Sequence, residues 1–153
     1  MDDLLLARAL HVLSVVVWIG GLAFVTLVIL PAAIRAPTAE AKLALFEAAE
    51  GPFSAIARGA VLLAGASGLW LSYRLDLWTR FSDAAFWWMN AMAGLWAIFM
   101  IVLFLAEPLW LHRAFHRWAL NEPDRAFAWA LWLHRLLLLA ATVTIIGAVT
   151  GSH

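Results

Sequence analysis

Cysteine is absent from this chain, which excludes disulfides, thiolate catalysis and Cys-ligated zinc or iron–sulfur centres. The same absence leaves the redox compartment open. Tyrosine occurs once, at Tyr73, and lysine once, at Lys42. Charge of either sign is scarce: 13% of residues are charged, ten Lys+Arg balance ten Asp+Glu, and the net charge is zero. No basic excess exists to track phosphates, so a nucleic-acid binder is excluded. There is no glycine-rich phosphate loop, no HExxH motif and no Ser/His/Asp set that spacing would place in one pocket.

What fills the chain instead is apolar. Of 153 residues, 65% are hydrophobic, against roughly 45–50% in an ordinary soluble domain. A chain this short cannot bury that much apolar surface in an aqueous core, so a soluble monomer is excluded. Ten tryptophans and nine phenylalanines fit a lipid-facing surface with aromatic belts. The reading is an all-α integral membrane protein, a single domain forming a four-transmembrane-helix bundle.

Four apolar segments reach the roughly 20 residues needed to cross about 30 Å of hydrocarbon. They run from about residue 4 to 30, 53 to 73, 84 to 112 and 126 to 150. The first is longer than the h-region of a signal peptide, about 7–15 residues. Thr38 to Glu50 reads as a separate helix, capped by Thr38 and lying along the membrane surface, with Gly51 and Pro52 after it. Asn121 to Asp124 reads as a turn with a helix start. Small residues Ala60, Ala64, Gly68 and Ser72 form a close-approach row on the second span.

Four spans place both termini on one side. Arg8, Arg74 and Arg80 lie on that side, three basic residues against seven on the other: Arg35, Lys42, Arg58, Arg113, Arg117, Arg125 and Arg135. The bias puts the first and third loops in the cytoplasm of a bacterial-type inner membrane, with both termini extracytoplasmic. The closing Gly151-Ser152-His153 reads as native or as a remnant of expression, and His153 carries no functional weight.

Polar groups inside a span are costly, which makes the few that exist functional candidates. Towards the terminal side, His11 sits about 10 Å into the first span, and Met89, Asn90 and Met92 lie at a similar depth in the third. His and Met together suit Cu(I), or a haem iron with His/Met axial ligands. His11, Ser14, Trp18 and Gly21 share one helix face, against which a ring-shaped cofactor would lie, with the glycine giving room and Trp18 stacking. Arg8, one turn nearer water, is placed to pair with a cofactor carboxylate or to snorkel to the interface. Towards the third loop, His112 and His116 have workable metal spacing but read more readily as an interfacial anchor. His134 is a second candidate ligand. Arg135 beside it needs an anion, for which Glu107 or a cofactor carboxylate is available. His11 and His134 lie roughly 12–18 Å apart in depth by helix rise, which argues against one haem clamped between them. With no intramembrane carboxylate except Glu107, a proton-relay transporter is poorly supported.

Ala9-Leu10-His11, then Trp18 and Gly20-Gly21-Leu22, resembles the first helix of the CopD-type copper-resistance membrane family. The same residues resemble that of the related four-helix, haem-containing protoporphyrinogen oxidase-like family. Arg58 to Leu71, with Gly65 and Gly68, is similar to the second CopD-type helix. The resemblance covers about half the chain and implies that His11 is a haem ligand. Those families place a lysine in or beside the third helix, where this chain shows Met-Asn-x-Met, so oxidase catalysis is put in doubt. The expected function is membrane haem b binding with an electron-transfer role, quinone or a larger redox complex being the partner. The alternatives are copper handling through His11, Met89 and Met92, and a cofactor-free accessory subunit. Membrane lipid is an expected contact, and a homo-oligomer is compatible with the sequence.

Overall fold

The computed structural model describes residues 3–151 and is helical, with no strand among the described residues. Four helices are long and apolar enough to cross a membrane: α1 Asp3–Ile34, α2 Ala39–Arg74, α3 Ala84–Asn121 and α4 Pro123–Thr150. They form a ring in which α1 adjoins α2, α2 adjoins α3, α3 adjoins α4, and α4 closes onto α1. Asp3 is ion-paired with Arg74, and Gly151 lies against the Trp88 indole. Both ends of the described chain therefore sit at the end of the bundle that carries the 75–86 connection. We call this the terminal end and the opposite one the loop end. Ser152 and His153 lie outside the described residues.

The boundaries differ from the sequence expectation in one instructive way. Thr38 does cap a helix, its hydroxyl accepting from the Ala41 N–H at 3.2 Å, and Glu40 in the first turn favours the helix dipole. That helix does not stop at Glu50 as a separate surface element. It continues through Gly51 and Pro52 for 36 residues to Arg74, about 54 Å at helical rise. Proline removes one hydrogen bond and kinks a helix, and flanking turns that pack on neighbours can tolerate this. α3 likewise runs past the expected boundary at residue 112 to Asn121. α4 begins at Pro123, a residue pre-set for the first turn of a helix.

Two prolines leave a visible mark on backbone geometry. α1 contains a π-helical stretch, Val25–Ile29, just before Pro31. α3 contains a longer one, Val102–Leu111, around Pro108. In a π-helix a carbonyl accepts from the N–H five residues on. For Leu103 that residue is Pro108, which has no N–H to give. The Arg58 Nε–H fills the vacancy by donating to the Leu103 carbonyl at 3.0 Å.

Two apolar clusters hold the ring together. At the loop end, Leu30, Ala33, Leu43, Phe46, Ala119, Ala126, Phe127 and their neighbours form a closed core. Phe46, Phe115 and Phe127 meet there edge-on or tilted, with centroids between 5.5 and 5.9 Å apart. Nearer the middle, Trp18, Ala57, Val61, Ala64 and Leu103 form the second cluster.

Candidate functional site

The terminal half of the ring is not filled. A cavity of about 370 Å³ opens between the helices, at the lower end of the range for organic-ligand pockets. Every helix contributes to its wall: His11 and Trp18 from α1, Gly68 from α2, Met89 and Met92 from α3, and Thr144 from α4. The expectation that His11 and the two methionines share one level therefore meets a common cavity. They do so across the ring, because α1 and α3 are diagonal and touch through Trp18 against Phe99, centroids 4.8 Å apart.

The small-residue row on α2 explains how His11 is held. Its Nδ1 lies 3.0 Å from the Ala64 carbonyl and 3.2 Å from the Ser67 hydroxyl. A carbonyl only accepts, so Nδ1 carries the proton. Ser67 donates its own hydrogen to the Leu63 carbonyl at 2.6 Å, so its oxygen is free to accept from the imidazole. In the neutral ring this arrangement leaves the lone pair on Nε2. Gly68 makes the approach possible: a Cβ there would sit 3.1 Å from His11 Cε1. Second-helix acceptors of this kind fix the tautomer and orientation of a metal-ligating histidine. Ser67 was not identified from the sequence, because it pairs with a residue 56 positions away and no spacing rule reports such a contact.

Other candidates fare differently. Ser14 is buried, but its hydroxyl donates to the His11 backbone carbonyl at 2.8 Å and so stays within its own helix. Trp18 is buried on the cavity wall, and its indole N–H has no partner among the described residues. The room expected beside Gly21 for a cofactor is taken instead by the Phe53 ring, which occupies the place where a Cβ would stand. Gly65 similarly receives the Trp96 ring, whose N–H donates to the Val61 carbonyl at 2.9 Å. Asn90 is exposed and donates to the Phe81 carbonyl at 2.9 Å, tying α3 to the connecting loop. Arg8 is exposed and does not line the cavity.

The loop-side candidates do not join this site. His134 bonds through Nδ1 to the Ala130 carbonyl at 2.8 Å. It lies ten residues from the cavity-lining Thr144 on α4, about 15 Å by helix rise. Arg135 is exposed on the outside of the bundle. Glu107, its expected partner, belongs to Arg58 at 3.2 Å and to the Ser54 hydroxyl at 2.7 Å. The reason is the ring order: Ser54 and Arg58 are one turn apart on α2, next to α3, and Arg58 also serves the orphaned Leu103 carbonyl. His116 meets Glu47 at 2.8 Å and His112 meets Glu50 at 4.0 Å. These pairs tie α2 to α3 at the loop end. Among the described residues no three His, Asp or Glu side chains converge as a metal site; the donors on the cavity wall are one histidine and two methionines.

In comparisons with known proteins, no family model matches the chain, and no curated protein or solved structure is significantly similar to it.

Proposed function

We propose that this chain is a multi-pass protein of a bacterial-type inner membrane that binds b-type haem through His11 and passes electrons. The observation that carries the reading is the His11 ring itself. Its Nδ1–H is committed to the Ala64 carbonyl, which reserves Nε2 as the site of the lone pair in the neutral ring, and it stands on the wall of an apolar cavity between four helices. Met89 and Met92 line the same cavity and offer thioether donors of the type found opposite histidine on haem iron. Arg8, one turn before His11, and Arg80, next to the cavity-lining Phe81, are the cations available to a cofactor carboxylate. The resemblance of the first helix to CopD-type and haem-containing oxidase-like proteins points to the same histidine. Bound haem would supply a one-electron couple. The protein's part is to hold the ring of His11 fixed, keep water from an apolar site, and present it near the terminal end. Quinone or a larger redox complex is the proposed partner. The basic residues orient that end away from the cytoplasm.

The same donor set favours one competing occupant, Cu(I), which soft sulfur and imidazole ligands select. An absorbance spectrum of detergent-purified protein, expressed with haem supplied, separates the two. A Soret band that His11→Ala abolishes and His134→Ala retains is expected. Stoichiometric copper without haem, lowered by Met92→Leu but not by Ser14→Ala, would replace haem with copper. Protein that carries neither group would sink both readings and leave a cofactor-free accessory subunit.

A further inference from the structure

Arg113 and Arg117 stand one helical turn apart on α3, both exposed. Like charges at this spacing repel, so an unpaired couple is a cost unless an anion sits between them. Two other basic groups at the loop end have carboxylates: Lys42 holds Asp124 at 2.6 Å and Arg125 holds Glu122 at 2.8 Å. Neither Arg113 nor Arg117 has such a partner among the described residues. With His112 and His116 they line a surface concavity of about 590 Å³. Glu50 and Glu47 face those two imidazoles from α2. They turn the histidines towards the acids and leave the guanidiniums as the permanent charges of the concavity.

The row continues in the other direction. Ile101, Leu105 and Leu109 precede Arg113 at the same four-residue spacing, exposed by 55%, 55% and 68%. Trp110 beside them is exposed by 59%, as an aromatic of an interfacial belt would be. A bare apolar strip that ends in two unpaired guanidiniums has the polarity of one kind of ligand: apolar along most of its length, anionic at one end. A free inorganic anion would use the guanidiniums and leave the strip unused.

We propose that Arg113 and Arg117 form a headgroup site for an anionic phospholipid, whose acyl chain lies along Leu109, Leu105 and Ile101. Arginine suits this task because its planar fork meets phosphate oxygens two at a time. The inference rests on the four helices crossing a bilayer and is independent of the cofactor.

The test uses the full chain in detergent, with native mass spectrometry against phosphatidylglycerol and phosphatidylcholine of equal chain length. Wild type is expected to retain phosphatidylglycerol about thirtyfold better, since two interfacial arginines at about 1 kcal/mol each contribute about 2 kcal/mol. Arg113→Gln with Arg117→Gln should erase that preference. Arg35→Gln with Arg125→Gln removes the same charge from the same end and should leave it intact. Equal loss in both double variants would overturn the site in favour of a diffuse surface potential. Displacement of the lipid by millimolar inorganic phosphate would reassign it to a free anion. A wild type without preference would end the proposal. A chain that sediments with no membrane fraction would instead end the bilayer reading on which it rests. Unchanged helicity by circular dichroism confirms that each variant is folded.

Discussion

The two ends of the bundle solve different problems. At the loop end Leu30, Ala33, Ala119, Ala126 and Phe127 have no exposure at all, and ion pairs between chain segments surround them. At the terminal end the helices stand apart around a cavity whose wall carries an imidazole, two thioethers and the indoles of Trp18 and Trp88, whose N–H groups have no partner among the described residues. The first resembles the interior of a water-soluble protein, where burying apolar surface drives association. The second lacks that drive if lipid surrounds it, because lipid tails are as apolar as leucine. Close contact there is arranged residue by residue, at Gly65 and Gly68, each receiving a ring from a neighbouring helix. The loop end therefore serves as the clamp, and the space left at the other end is where a ligand can be held.

That contrast can be broken experimentally, and the loop-end core offers the largest effect. Phe127→Ala should lower unfolding stability in detergent by about 3–5 kcal/mol, the usual result of a large cavity in a closed core. A loss below 1 kcal/mol, read by urea or SDS titration, would show that this end is not the clamp. Arg58→Ala comes next, at about 3 kcal/mol, because it strands the Glu107 carboxylate and the Leu103 carbonyl together. Adding Glu107→Gln should recover part of that loss, and a double variant no better than the single would dissociate the two groups. Thr38→Ala removes a cap and should cost about 1 kcal/mol. Leu13→Ala, on an outward face at 60% exposure, should change stability by less than about 0.5 kcal/mol. A larger loss would mean that this face is covered by protein. Because the chain has no cysteine, orientation can be read without altering stability. Ser82→Cys should react with an impermeant maleimide in intact cells, and Pro37→Cys only after the cytoplasmic membrane is opened.

Much of the architecture was legible before any coordinates. The four long helices, the Thr38 cap, the shared end for the two ends of the described chain and the common depth of His11, Met89 and Met92 follow from residue type and helical rise. What escaped depends on contacts between segments. Gly51-Pro52 reads as a break, yet α2 runs through it. Glu107 reads as a partner for Arg135 because the two helices are joined by a short turn, yet it faces α2 and binds Arg58. Gly21 reads as room for a cofactor, yet Phe53 from the next helix fills that room. The π-helical turns carry a local sign, the prolines, but proline alone does not distinguish a kink from a register change.

By itself the sequence determined that the chain is helical, apolar enough for four crossings, free of thiol chemistry, and provided with few polar side chains at depth. Those properties are sums and periodicities, and a linear reading captures them. Only the tertiary structure decided which polar groups answer one another. His11 was given the Ala64 carbonyl and the Ser67 hydroxyl. Arg58 was given Glu107 and a carbonyl that Pro108 had orphaned. Among the described residues, Arg113 and Arg117 were left without a carboxylate. Such choices depend on helix order and rotation about each axis. These are set by which small residues allow two backbones to approach, and no single helix contains that information.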